Sequence, residues 1–285
     1  MNLHTKIKHT AINDLSQGTD DDINTLNNTL RLLSKWRSLL IQNTYIKMEG
    51  VTVFSGPLAG LNFIEESSEG CHIAKLLGTY EQPLHKHIEN LSRIRYEKII
   101  NIGCAEGYYA VGLTRLFPHS VSLAYDTDPA ARKKCKTLAS LNGVQDRVEV
   151  HNEFISNDFA RFADTRALVF CDIEGHEKSL FDENIVPFLS GVDIIVECHE
   201  CLDPNITDTL IARFSNTHAI SAVRDNGSRS LTNMPTWFVN MSHLDQLLAI
   251  WEWRSGPTPW LVMRSKKYIT NLRFSDQIDN TSSYL

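Results

Sequence analysis

The order of apolar and polar residues separates an irregular beginning of the chain from a regular centre. Residues 1–25 are polar, carry an acidic run at 20–22 and show only weak periodicity. The next segment has apolar residues at helical spacing and predicts one helix, built on Ile23, Leu26, Leu30 and Leu33. Residues 48–64 then read as two short strands around a Gly56-Pro57 turn. A further helix is expected from about Pro83.

From residue 96 onward, strand and helix patterns alternate five times. The predicted strands are 96–103, 120–126, 146–152, 166–175 and 192–200. The predicted helices are 107–117, 128–143, 155–163, 177–189 and 205–216. Near-continuous apolar strands of this kind are typical of a parallel sheet covered on both faces. After residue 217 the pattern changes to two further strands, 218–224 and 259–267, with a long irregular insertion between them.

Composition and charge narrow the class of protein. The 285 residues are 42% hydrophobic and 22% charged, as in an ordinary soluble globular protein. A formal charge of −6 provides no global basic field, so neither nucleic acid nor an anionic membrane is an expected partner. No apolar run approaches the length of a membrane span, and the positively charged start lacks a signal-peptide core. Six scattered cysteines suggest reduced thiols, and a cytoplasmic protein is expected.

The turn between the first predicted strand and its helix is Gly103-Cys-Ala105-Glu-Gly107. A strand, a tight glycine-rich turn and a helix N-terminus together form a ready site for a nucleotide-like ligand. Ala105 and Tyr108 occupy positions where the G-x-G-x-x-G pattern needs glycine. This spacing argues against a pyrophosphate-binding loop and therefore against a nicotinamide oxidoreductase.

Acidic residues stand at the ends of four successive predicted strands: Asp126, Glu153, the pair Asp172 and Glu174, and Glu197 beside His199. Asp126 lies 19 residues past Gly107, where a carboxylate can accept both hydroxyls of a ribose. Any one of these acids could be a simple helix cap. Together they predict a negative rim at one edge of the sheet, which suits a cationic ligand better than a diphosphate.

These segments resemble class I S-adenosylmethionine-dependent methyltransferases over roughly residues 76–270. The resemblance rests on "NIGCAEGYYAVGL", "AYDTDPAARKKC", "LNGVQDRVEV", "VFCDIEGHE" and "IIVECHE". The "CDIEGHE" segment most resembles the FkbM-like branch. The family fold implies a Rossmann-like α/β domain with a seven-stranded, mostly parallel sheet whose last strand is antiparallel. We expect this domain at 91–273, an N-terminal helix and hairpin extension at 1–90 that caps the site or dimerises, and a tail at 274–285.

The resemblance also implies roles for individual residues in binding S-adenosylmethionine. The backbone at Gly103, Ala105 and Gly107 would approach its methionine and ribose moieties. Asp126 would hold the ribose, and Glu153 or Phe154 would lie by the adenine. The segment "LLGTYE" would close over the methionine end. That segment makes Tyr80 and Glu81 cofactor-binding candidates, and Asp172 is a further one.

Methyl transfer is an in-line displacement, so the enzyme supplies positioning and, where the nucleophile carries a proton, a base. Asp172, Glu174 and His199 are the candidate catalytic residues. His199 is the preferred base because imidazole titrates near working pH, and His176 is second. For both, a structural histidine is the alternative.

Asp172, Glu197 and His199 could instead hold Mg²⁺, which would bind and acidify a hydroxyl. Carboxylates that bind only cofactor or substrate would look the same in sequence. Residues 251–260, "WEWRSGPTPW", are either a pocket wall or aromatic packing at the sheet edge.

The sequence thus predicts a methyltransferase that uses S-adenosylmethionine, with O-methylation of a small hydroxylated or sugar-like acceptor favoured. An RNA or protein methyltransferase and a non-catalytic cofactor-binding module remain alternatives. A homodimer is a further expectation.

Overall fold

The computed structural model describes residues 2–17, 22–65, 71–232 and 234–269. Its centre is one seven-stranded sheet in the order β3-β2-β1-β4-β5-β7-β6. The strands are β1 (Lys98–Ile102), β2 (Val121–Tyr125), β3 (Val148–His151), β4 (Ala167–Cys171), β5 (Asp193–Glu197), β6 (His218–Val223) and β7 (Trp260–Ser265). Neighbours among β1 to β5 are parallel, while β7 is antiparallel to both β5 and β6. The predicted Rossmann-like α/β sheet with an antiparallel last strand is therefore confirmed.

α-Helices pack around the sheet. They are α1 (Leu3–Gln17), α2 (Ile23–Glu49), α3 (His72–Leu77), α4 (His85–Leu91), α5 (Tyr108–Leu116), α6 (Pro129–Leu141), α7 (Glu177–Leu180), α8 (Val186–Leu189), α9 (Ile206–Phe214), α10 (Thr236–Val239) and α11 (His243–Ile250). Alternate side chains of a strand point to opposite faces. Accordingly, Ile100 and Ile102 pack with α7 to α9, while Ile99 packs with α4 and α5. Both faces of the central strands β1, β4 and β5 are thereby buried.

The N-terminal helices share a hydrophobic core with the sheet domain. Ile41 and Tyr45 of α2 belong to the same buried cluster as Ala110 of α5 and Leu138 of α6. A boundary near residue 90 stays a prediction, and the predicted tail at 274–285 lies outside the described residues. None of the helices described is both long and apolar enough to span a bilayer.

The predicted hairpin at 48–64 is wrong as a pair of strands. Within its described residues the structure has a single β-bridge, between Thr52 and Asn62. The arms do bond to each other, with the Val53 amide donating to the Leu61 carbonyl at 2.9 Å and the Phe63 amide to the Val51 carbonyl at 2.8 Å. The pairing extends no further because the Phe54 amide already donates to the Leu76 carbonyl of α3, and the segment packs on α2 and α3.

Other helices also differ from the sequence prediction. The weakly periodic start contains α1, whose pattern is weak because Ala11 is its one buried residue. The expected helix 177–189 breaks into α7 and α8, because Asp182 caps a separate turn and Pro187 lacks an amide hydrogen. The segment 155–163 is a 3₁₀-helix, Ser156–Phe162. The insertion expected to be irregular holds α10 and α11.

Candidate active site

The loop between β1 and α5 follows a path that requires glycine. Gly103 and Gly107 have φ angles of 77° and 99°, and Ala105 between them has φ of 44°. A Cβ on Gly103 would lie 1.6 Å from the carbonyl oxygen of Asp172. A Cβ on Gly107 would lie 2.9 Å from Cys135 Sγ. The loop therefore presses its backbone against the end of β4 and against α6.

Asp126, at the end of β2, fixes this loop. Its Oδ2 accepts a hydrogen bond from the Ala105 amide and its Oδ1 accepts one from the Asp128 amide, both at 2.8 Å. An ionised carboxylate has about four acceptor sites, so two stay available to a ligand. The loop bonds orient the carboxylate without consuming its capacity to accept ligand hydroxyls.

A cavity of about 310 Å³ opens at the carboxyl edge of the sheet. Parallel α/β sheets commonly bind ligands at this edge. Its walls include Gly103, Tyr125, Asp126, Glu153, Phe154, Asp172 and His176. The structure thus brings together Gly103, Asp126, Glu153 and Asp172 as the sequence predicts. Ala105 and Gly107 shape the loop beside this cavity but do not line it.

A second cavity, of about 270 Å³, adjoins the first. Asp172 and Glu174 line both cavities. The remaining walls of the second one include Lys35, Tyr80, Glu197, His199, Cys201, Glu252, Trp253 and Arg254. A ligand in either cavity therefore reaches the end of β4, and this edge offers two compartments that meet at one pair of carboxylates.

The second cavity is built around Arg254, which pairs with three buried carboxylates. Its guanidinium donates to Glu81 and Glu252, each at 3.0 Å, and to Glu197. Tyr109 also donates its hydroxyl to Glu81. One guanidinium among three carboxylates leaves an excess of negative charge, which Arg229 relieves only on the Glu252 side.

This excess appears in the acid–base properties of the cluster. Burial raises the pKa of Glu81 to about 8. Arg254 acts in the opposite direction, but Glu197 and Glu252 add to the effect of burial and together they outweigh it. Burial, with Glu197 and Glu81, also raises the pKa of Asp172 well above its usual range. Asp172 Oδ1 is buried and lacks a hydrogen-bond partner among the described residues. A cation in these cavities would supply the charge and contacts that the carboxylates lack.

His199 is held among four carboxylates. Its Nδ1 lies 2.7 Å from Glu177 Oε1, and its Nε2 lies 3.3 Å from Glu174, 3.7 Å from Asp172 and 3.8 Å from Glu197. Burial lowers the pKa of His199, but its bonds to Glu174 and Glu177 outweigh that effect and raise the pKa to about 11. The imidazole is therefore already protonated near neutral pH. That charge state disfavours His199 as the base expected from the sequence.

The predicted metal ligands lie together, although most of them already have partners. Asp172, Glu174 and His199 offer ligand atoms within 4.8 Å of one another, and so do Glu81, Asp172 and Glu197. Arg254 already neutralises part of the second group. Magnesium at this edge stays a prediction from the sequence.

Backbone strain concentrates at these cavities. Four described residues other than glycine have a positive φ: Glu81, Ala105, Glu174 and Trp253. Glu174 and Trp253 line the second cavity, and Glu81 pairs with Arg254. Ala105 lies in the loop held by Asp126. Such conformations cost roughly 1–3 kcal/mol each and tend to cluster at functional sites.

Several wall residues were not predicted from the sequence. Lys35 comes from α2, where it places Nζ 5.0 Å from the ring centre of Trp253. Arg31, one turn earlier, donates to the Trp253 carbonyl at 3.1 Å. The aromatic segment 251–260 was the one feature of the sequence that pointed to this wall. Trp253 lines the cavity and Trp260 is buried in β7, so the segment provides both a pocket wall and packing at the sheet.

Comparison with known proteins gives likenesses of structure only. The sequence matches no family model and no curated protein. It is similar to an rRNA methylase from Streptococcus thermophilus, at 12% identity over 64% of this chain and 96% of that one, with a TM-score of 0.44. It is also similar to an SAM-dependent O-methyltransferase from Thermotoga maritima, at 12% identity over 63% and 64%, with a TM-score of 0.38. At these scores the likeness carries no information on substrate.

Two glycines with similar backbone angles give a matched test of the loop. Gly103→Ala should destabilise the protein by more than about 3 kcal/mol, because the new Cβ meets backbone. Gly143→Ala should cost only about 1 kcal/mol, because φ is 65° but nothing lies within 4 Å. Denaturant unfolding measures both. Equal losses would contradict the close approach of the loop to β4.

Proposed function

We propose that this protein is an S-adenosylmethionine-dependent methyltransferase that methylates a hydroxyl group of a small acceptor. The observation that supports this most strongly is the pair of cavities that meet at Asp172 and Glu174. The first cavity has room for a nucleoside, and the second is lined by titratable groups. Transfer between two ligands requires two such adjoining compartments.

The first cavity suits the nucleoside of the cofactor, and the carboxylates of the Arg254 cluster, which lie next to Asp172, suit its amino-acid end. Asp126 would accept the ribose hydroxyls, Phe154 would pack near the adenine, and the Gly103 backbone would lie alongside. Glu81 would pair with the ammonium group of the amino-acid end. When bound, S-adenosylmethionine supplies a methyl group on a positively charged sulfonium. The surplus of buried carboxylates would balance this positive charge. The same carboxylates would repel the negatively charged diphosphate of a dinucleotide cofactor.

The remainder of the second cavity suits a small acceptor. Asp172 is the proposed base, since its carboxylate lines both cavities. Burial, with Glu197 and Glu81, raises its pKa, which makes the ionised carboxylate a stronger base toward a hydroxyl. His199 is a positioning residue in this proposal: Glu177 holds the ring, and the positive charge orients Asp172 and Glu174.

The size and charge of the second cavity favour a small acceptor over RNA. Its volume is about 270 Å³ and its wall carries four carboxylates beside three basic side chains, whereas RNA recognition relies on extended basic surfaces. A non-catalytic cofactor-binding protein would keep the first cavity but would have no use for the titratable groups of the second. Substitutions in each cavity separate these possibilities.

The first test concerns cofactor binding at the end of β2. Asp126→Ala should weaken binding of S-adenosylmethionine by about 1–3 kcal/mol, through the loss of charged hydrogen bonds. Asp128→Ala is the matched control: it removes the N-cap of α6 but no proposed ligand contact. Isothermal titration of both variants measures the difference. Equal affinity in wild type and Asp126→Ala would remove Asp126 from the site.

The second test concerns chemistry. Asp172→Ala should reduce methyl transfer to a panel of small hydroxylated compounds by ~10²-fold or more. His199→Ala should reduce it by a smaller factor, because the base remains. The exposed Asp146→Ala is the control and should retain full turnover. If the cofactor binds while Asp172→Ala and His199→Ala leave turnover unchanged, these residues have no part in catalysis.

A further inference from the structure

The first half of α2 carries an exposed apolar stripe. Ile23, Leu26, Leu30 and Leu33 are 66%, 60%, 64% and 41% exposed. Their spacing of three, four and three residues places them on one side of the helix. It is also the a and d spacing of a helix–helix seam. We refer to these four residues as the α2 stripe.

The surroundings of α2 show where its own chain packs and where it does not. On one side Trp36 donates to His4 of α1 at 3.2 Å. Farther along the helix, Ile41 and Tyr45 enter the core. Arg37 takes the next a position of the repeat, and both Asp245 oxygens of α11 accept from it at 2.6 Å. The stripe therefore ends where the chain's own α11 begins to cover that side of α2.

We propose that a second copy of this chain covers the α2 stripe and forms a two-fold homodimer. A seam with a and d spacing is complementary to a helix with the same spacing, and a two-fold interface places the same surface on both subunits. The flanking e and g positions are Asn27, Thr29, Ser34 and Trp36, which are all uncharged. Two copies can therefore approach without like-charge repulsion across the seam.

The area available matches a modest dimer interface. The stripe exposes on the order of 400 Å² of side chain per copy, comparable to the largest apolar patch on a typical monomer. α1, which packs against α2, also exposes Ile12 and Leu15, each by about half. With them, two copies would bury roughly 1,200 Å² in total, the lower end of specific protein interfaces. The proposed interface is thus a four-helix arrangement of two α1–α2 hairpins.

The dimer would lie beside the acceptor cavity without entering it. Arg31 and Lys35 contact the loop at 253–254 from a different side of α2 than the stripe. The seam therefore leaves these contacts free, and dimerisation is independent of whether the methyltransferase proposal holds.

The test is the mass of the full-length protein in solution over a hundredfold range of concentration, by sedimentation equilibrium. Wild type should approach twice 32.3 kDa at the highest concentration and dissociate on dilution. The double variant Leu26→Arg/Leu30→Arg should remain at 32.3 kDa throughout. Leu141→Arg, an exposed leucine on α6, is the matched control and should dimerise like wild type.

Two outcomes would overturn the proposal. One is a wild type that is monomeric at every concentration. This outcome counts against the proposal even if another occupant, such as residues 270–285 of the same chain, covers the stripe. The other is a dimer that the double variant leaves intact. Circular dichroism and the melting temperature establish that the variant is folded. Should the double variant unfold, the single variant Leu30→Arg and a Leu26→Cys cross-link between copies decide the question in its place.

Discussion

The ion pairs of Arg254 are the interaction on which the rest of the candidate site depends. One guanidinium joins Glu81, Glu197 and Glu252, which come from the segment after α3, the end of β5 and the loop before β7. Removing one partner from a buried ion pair typically costs about 3–5 kcal/mol, because a charge is left uncompensated. Without Arg254 the three buried carboxyl groups would lose the partner that joins their three segments of chain.

Arg254 does not balance the whole cluster, and this imbalance connects structure to function. Asp172 and Glu81 have raised pKa values because burial and neighbouring carboxylates act on them together. A folded protein gains nothing from such an arrangement by itself. The strained conformations of Glu174 and Trp253 add to its cost. A cationic ligand recovers part of this free energy on binding, which links the charge of the site to the proposed cofactor.

The sequence predicts the sheet and the acidic residues at its edge, but not the partners of those residues. Long apolar runs predict β1 to β5 because buried parallel strands need them, and the strand ends place Asp126 and Asp172 at one edge. Other residues of the site come from distant parts of the chain. No periodicity in the sequence predicts that Arg254 pairs with Glu81 or that Lys35 contacts Trp253. The charge state of His199 also depends on four carboxylates that gather around it only in the folded chain.

The most direct measurement is calorimetric titration of the protein with S-adenosylmethionine at pH 7, in buffers of different ionisation enthalpy. With a pKa of about 8, Glu81 is mostly protonated in the free protein at this pH, and a nearby cation favours its ionised form. The account predicts micromolar binding with release of a proton, and a smaller release in Glu81→Gln. Failure to bind, or binding with the same proton count in both proteins, would contradict it.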